Sequence, residues 1–585
     1  LSVLTLVFGC LLAFAPATQA ADVLNQAPRD ALAMVVLRDL TQTDAKAGKL
    51  LAVLGTRLPG PLAIVKSLTG IESGLDGTRD AMVVLLPPAN NSQQFHLAVW
   101  LPTSDYSALV RSLEGDPERR VAVVTIAGED LLVIRHGDWA VVMDPDERDR
   151  LEQLREAQPS PPSRLAAWST WIDRQDAAII LLPSGLRAFR SYATRQKQQG
   201  PAQNVVPADA SDNPFGEPVR PTMPAGDDAW SAFDESLRKL LTDMPEIGNW
   251  LAEAEGAGCG LRIDAAGSAV IDLRLACARE ALPPENVEAT RPVPRLYDGG
   301  DFVIAGSGQV SPGWVVPAVA PYVRQRINDL AVQFGTKFDD AEVAKFRTEI
   351  EQAVADVRAF AVLTRPGKES EGVFTNNFLA LRVKSPQAFL ERADLAIQRW
   401  NSMFESAQGE IRLVFKSRAI TVAKRKGTEY SIDMATAVGA PALPEIKPSM
   451  EKLFGPGGEF RLQFVALDDD TVLLAAANET QVAHVIESFG KATIEATERS
   501  ELRDAEVLLA KPSDWRIYVS PHGYNESLKR QMEAILGPVI GGPVVPDFPA
   551  SPPVGVAGGV EGNVVWTELA LPAETIRGIG AYLHQ

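Results

Sequence analysis

Repetition is the feature that most restricts what this chain can become. An aspartate, an alanine and a short apolar run follow one another at Asp30 to Leu37, at Asp80 to Pro87, at Asp176 to Pro183 and at Asp504 to Leu509. Each run has strand length and one polar residue at its start, so each is expected to be a strand. Pro87 and Pro183 close two of the runs, because proline has no amide hydrogen to give to a ladder.

A longer unit recurs as well. Residues 94–156 are expected to form a strand at Phe95 to Leu101, a helix at Asp105 to Leu113 and a strand at Val121 to Ile126. A turn at Gly128-Glu129-Asp130, strands at Leu131 to Arg135 and Trp139 to Met143, and a helix opened by Asp144-Pro145 complete it. Residues 376–489 show the same order. There the expected elements are a strand at Phe378 to Val383, a helix opened by Ser385-Pro386, a strand at Arg418 to Lys424 and a turn at Gly427-Thr428-Glu429. Strands at Tyr430 to Met434 and Thr471 to Ala476 and a helix opened by Asn478 follow. A capping side chain followed by proline recurs because the cap satisfies a free amide and proline has none to satisfy. Strand pairs joined by tight turns imply an α+β fold with duplicated antiparallel sheets, helices packed on one face, and several linked modules.

The expected modules are an N-terminal α+β module at 22–160, a middle α+β module at 161–290, and a C-terminal α+β module at 291–585 that repeats the first module's element order. Within the middle module, 197–229 is rich in proline and poor in apolar periodicity, which marks a mobile loop. The Val-rich and Pro-rich segment Gly537 to Gly562 is expected to pack irregularly onto a core. Long helices are expected at Val315 to Phe334 and Asp339 to Arg358, the second with a core stripe of Val343, Phe346, Ile350, Ala353, Val354 and Val357.

The first twenty residues carry no charge, and their apolar stretch is shorter than the roughly 20 residues a membrane span needs. They end in the small residues Ala15, Ala17 and Ala20, as a signal peptide (1–20) does before its cleavage site. Export to the periplasm or cell envelope is expected, with no membrane span after cleavage. Cleavage would leave Cys259 and Cys277 as the only cysteines, in an oxidising compartment. Both lie in alternating segments that read as the arms of a hairpin around Ala265-Ala266-Gly267-Ser268, so a cross-strand disulfide between Cys259 and Cys277 is expected.

Over 585 residues, 57 Lys and Arg stand against 75 Asp and Glu, a net charge of -18 that repels nucleic acid and anionic surfaces where no local basic patch overrides it. No such patch is read here, so no nucleic-acid partner is expected. Five histidines and three cysteines supply little for transition-metal or thiol chemistry. HExxH, a P-loop and GxSxG are all absent. Ser449-Met450-Glu451-Lys452 matches the Ser-x-x-Lys of penicillin-interacting enzymes but has no Lys-Thr-Gly companion. Asp468-Asp469-Asp470 reads as a solvated turn rather than a calcium loop, since no spaced acidic loop with glycine follows. No catalytic, cofactor-binding or metal residue is assigned, and no cofactor is expected.

With the aspartate-led strands, the repeated strand-helix-hairpin unit and the closing Leu571-Pro572-Ala573-Glu574-Thr575, the chain resembles uncharacterised exported bacterial proteins of the planctomycete type. The resemblance implies export and α+β architecture, and brings no catalytic residue with it. The function expected is non-catalytic binding or scaffolding in the envelope, through extended sheets and with an envelope protein or ligand as partner. A hydrolase using carboxylates that no short motif reveals, and a carrier of an apolar ligand, are the alternatives.

Overall fold

The computed structural model describes residues 21–56, 59–87, 95–126, 128–156, 163–188, 254–278, 295–333, 337–368, 370–407, 412–437, 447–489, 501–509, 512–540 and 545–584. The expected signal peptide and the 197–229 loop lie outside these residues. The chain divides into two compact units, one formed mainly by residues up to Gly267 and the other mainly by residues from Arg279 on.

The first unit holds strands β1 (Ala33–Leu37), β2 (Ala81–Leu86), β3 (His96–Pro102), β4 (Ala122–Ile126), β5 (Glu129–His136), β6 (Trp139–Met143), β7 (Ala177–Leu181) and β8 (Ala254–Ile263). All pair antiparallel, in the order β4-β5-β6-β3-β2-β1-β7-β8. β7 and β8, which fall within the range expected as a middle module, are thus bonded into this sheet through β1. Helices α1 (Leu40–Val53), α2 (Pro61–Thr69) and α3 (Tyr106–Ser112) pack Leu40, Leu62, Leu109 and Val110 onto Val35, Val83, Val99 and Val142 of one face. Helix α4 (Arg148–Glu156) meets β5, and α5 (Ser163–Ile172) lays Trp168 and Trp171 over β8 on the other face.

Helices therefore cover both faces of this sheet, a correction to the expected one-face arrangement. The reason is visible in β2, where Val83 and Val84 point to opposite sides and are 3% and 0% exposed. A half-solvated strand alternates, whereas Ala81–Leu86 and Trp139–Met143 are unbroken apolar runs, the pattern of strands buried on both sides.

Strand β9 (Ala269–Cys277) follows a turn after β8 and from Ile271 on belongs to the first unit; the second unit holds β10 (Ile304–Gln309), β11 (Val357–Thr364), β12 (Asn377–Val383), β13 (Lys416–Val422) and β14 (Arg425–Asp433). β15 (Glu459–Ala466), β16 (Thr471–Ala476), β17 (Trp515–Val519), β18 (Val554–Glu561) and β19 (Val564–Leu571) complete it. The antiparallel order is β13-β14-β15-β16-β12-β11-β10-β17-β18-β19. Its helices are α6 (Pro312–Gln333), α7 (Asp340–Val354), α8 (Pro386–Ser406), α9 (Lys447–Phe454), α10 (Glu479–Ser488), α11 (Arg503–Leu508), α12 (Pro521–Ile540) and α13 (Ala573–Leu583). α7 and α8 cover one face through Ala353, Phe389 and Ala393, while α10 and α11 cover the other through Val482, Val485 and Ala505. Among the described residues no helix is long and apolar enough to cross a membrane.

Local chemistry accounts for several helix starts. Ser385 accepts from the Ala388 amide at 3.3 Å ahead of Pro386. Asn478 and Gln481 exchange bonds at 2.9 Å in a reciprocal cap of α10. Two expectations fail in this unit. Asp504 to Leu509 is helix rather than strand, because Leu502, Ala505 and Leu509 recur at helical spacing and are buried while Val507 is 71% exposed. The hairpin after β13 turns at Ala423 and Lys424, with φ of 46° and 66°, not at Gly427. Gly427 is needed inside β14, where a Cβ would lie 2.5 Å from the Phe464 carbonyl oxygen. Part of the Gly537 to Gly562 segment packs irregularly, with Phe548 buried against Tyr582, and its end forms β18.

Cys259 and Cys277 are free thiols in the structure, a correction to the expected disulfide. With β8 ending at Ile263 and β9 starting at Ala269, Cys259 is four residues from the turn and Cys277 eight. At about 3.3 Å per residue that offset is roughly 13 Å along a hairpin, beyond the reach of a disulfide. Cys277 is buried and Cys259 partly so, both on the side away from Gly258 and Asp272, which face the α5 tryptophans.

Candidate functional site

Two of the aspartate-led strands meet at one place. β1 pairs with β2 on one side and β7 on the other, with Leu37 opposite both Ala81 and Ala177, so Asp80 and Asp176 flank Arg38 just past the end of β1. Arg38 is fully buried. Its Nε lies 3.5 Å from Asp80 Oδ2, and its Nη1 donates to the Ile172 carbonyl at 3.1 Å and to Asp173 Oδ1 at 3.0 Å. Asp80 Oδ1 accepts from the Asp39 amide at 2.9 Å, and Asp176 accepts from Lys46 Nζ at 3.0 Å and from the Ile263 amide. Close by in sequence, Gln175 and Trp171 donate to Asp272 Oδ2 at 3.2 and 2.8 Å.

Burial dominates the acidity of both strand-leading aspartates. Desolvation pushes Asp80 up to about 7 against the opposing pull of the Asp39 amide and Arg38, and pushes Asp176 up to about 6 against the Ile263 amide and Lys46. A carboxyl titrating near neutrality has the acidity of a general acid or base. Neither aspartate, however, lies on the wall of either cavity described below. The arrangement can hold a proton and pin three strands together.

Space of a different kind lies on the opposite face of the first unit. A cavity of about 50 Å³ sits between α1, α2 and the sheet, and of its thirteen lining residues only Lys66 and Thr69 are not apolar. Leu62 and Val65 of α2 form one wall, and Ala81, Val99 and Val142 of the sheet form another. In the second unit a groove of about 20 Å³ runs along Phe374, Phe454 and Phe460, with Glu371 and Arg461 beside them. Glu371 accepts there from Gln481 at 2.8 Å.

The third feature is a strand edge. Among the described residues β13 is bonded to β14 alone, and its residues 416–419 are exposed. Lys416, Arg418, Lys424, Arg425 and Lys426 all lie on this hairpin, a local basic cluster that the reading of overall charge missed. Five cations within eleven residues of an acidic chain is a signal that a windowed charge count reveals. Arg418 donates to Glu429 Oε1 at 2.7 Å and to Glu479 at 3.1 Å, and Glu429, itself 3% exposed, accepts also from Gln463 at 3.1 Å.

Ser449 and Lys452 sit on the short helix α9, which packs Met450 and Leu453 against Val373 and Ala534. Asp468 to Asp470 form a turn in which the Asp470 amide donates to Asp468 at 3.0 Å and Asp470 pairs with Arg382 at 3.4 Å. The histidines are scattered, His96 being half-enclosed with Nδ1 3.2 Å from Glu147 and His484 3.5 Å from Asp298. Among the described residues no group of three or more His, Cys, Asp or Glu is placed to hold a metal ion. No protein family, no curated protein and no solved structure matches this chain.

Proposed function

We propose that this is a non-catalytic exported protein of the periplasm or cell envelope that binds or scaffolds a partner through its sheets. The observation that carries the reading is the edge of β13, which among the described residues is hydrogen-bonded on one side only and projects exposed residues at both faces. The two units also share a strand order: β4-β5-β6-β3-β2-β1-β7-β8 matches β14-β15-β16-β12-β11-β10-β17-β18 strand for strand, which supports duplication of one sheet. On that reading β13 is an addition at the outer end of the second copy. A photo-crosslinking residue at Ala419 in envelope preparations tests it, with Val332, exposed on α6, as the comparison site. A discrete product from position 419 and none from 332 is expected; products indistinguishable at the two sites refute the reading.

A second reading, carriage of an apolar ligand, is favoured by the cavity beneath α2. It predicts that an alkyl-chain fluorophore binds the protein and that Ala81→Leu, which fills the cavity from the sheet side, abolishes binding. Unchanged binding in the variant rules that site out.

A further inference from the structure

We infer that the free edge of β13 takes an acidic extended peptide as an added strand, an inference that rests on the sheet-edge reading above. An edge strand offers alternate amides and carbonyls that a new strand satisfies at about 4.8 Å. The outer strand β4 of the first unit's sheet is tied at one point to the chain before it, since the Thr125 amide donates to the Leu113 carbonyl at 3.2 Å. Among the described residues the β13 backbone has no such tie.

Charge selects the occupant. Lys416 and Arg418 lie on one face of β13, and Lys424, Arg425 and Lys426 crowd the turn that follows. Arg418 is held by Glu429 and Glu479, but Lys416, Lys424, Arg425 and Lys426 have no ion-pair partner among the described residues, in a chain of net charge -18. Residues directly across an antiparallel pair stand about 5 Å apart, so an added strand with carboxylates at alternate positions would face Lys416 and Arg418. Its other side would meet Ser417, Ala419 and Thr421, small residues that leave room for a partner's side chains. The same cations repel a second copy of β13, so the edge is kept from pairing with itself while remaining open to an acidic strand.

The test uses the full chain and a short synthetic peptide alternating glutamate and threonine, with lysine-threonine and valine-threonine peptides as controls. Binding is read by fluorescence anisotropy at low salt, and strand addition by slowed amide exchange within β13. The glutamate peptide is expected to bind and to slow exchange, and N-methylation of alternate residues in one of the two frames is expected to abolish both. The Lys416→Glu, Lys426→Glu double variant should bind at least about tenfold more weakly. If both N-methylated frames bind like the parent peptide, the contact is charge adsorption without strand addition and the inference falls. If only a control peptide slows exchange at β13, the acidic partner is wrong while the sheet-edge reading survives. If no peptide slows it, both fall.

Discussion

Replacing Asp80 by asparagine should remove a defined part of the protein's pH dependence. Asp80 is 6% exposed, and burial raises it from 3.8 to about 7. The folded state therefore binds a proton in the window between those values that the unfolded chain has already released. The resulting stabilisation is fully present below pH 3.8, falls as pH rises, and is gone above about 7. At about 1.4 kcal/mol per pK unit, the window corresponds to a contribution on the order of 4 kcal/mol. Urea unfolding followed by tryptophan fluorescence reports on this region, because the Trp139 indole donates to the Asp80 carbonyl at 3.4 Å. The stability of Asp80→Asn relative to the parent should rise by roughly 4 kcal/mol between pH 4 and pH 8. Taking the difference cancels groups common to both proteins, including Asp176, which titrates in an overlapping window. A difference that stays flat within about 1 kcal/mol over that range would mean that Asp80 ionises normally despite its burial, and the desolvation argument would be refuted.

Three further outcomes are expected. Gly258→Ala should destabilise the first unit by about 1 to 3 kcal/mol in thermal or urea unfolding, because the new methyl would meet the Trp168 ring at 2.6 Å and the Trp171 ring at 2.7 Å; an unchanged midpoint would show that the tryptophans yield freely. Thiol titration of the denatured, unreduced protein should count both Cys259 and Cys277 as free, and failure of both to react would restore the disulfide. Asn478→Ala should cost about 1 kcal/mol through loss of the reciprocal cap on α10, measured as a shifted unfolding midpoint, with Asn478→Asp nearly neutral.

The sequence on its own determined the local elements whose causes are local. The strands led by Asp30, Asp80 and Asp176 form because a run such as Ala81–Leu86 has the length and β-branched content of a buried strand. The helices after Asp105, Ser385 and Asn478 start where a side-chain oxygen takes up an orphan amide. Legibility failed at Gly427, a turn-forming glycine whose use inside β14 only Phe464 of the next strand selects, and at Asp504, where the helical spacing of Leu502, Ala505 and Leu509 outweighs the likeness to the aspartate-led strands.

What tertiary structure alone decided is which strands become neighbours, and the candidate sites follow from that. Asp80 and Asp176 are 96 positions apart, yet both flank Arg38 because β1 lies between β2 and β7. The same is true of helices on both faces, of two thiols kept out of register, and of β13 with one bonded neighbour among the described residues. Hydrophobic periodicity reports which side of a strand seeks cover, since that is a property of consecutive residues. Pairing order is set by competition among segments far apart in the chain, and no short window of residues encodes its result.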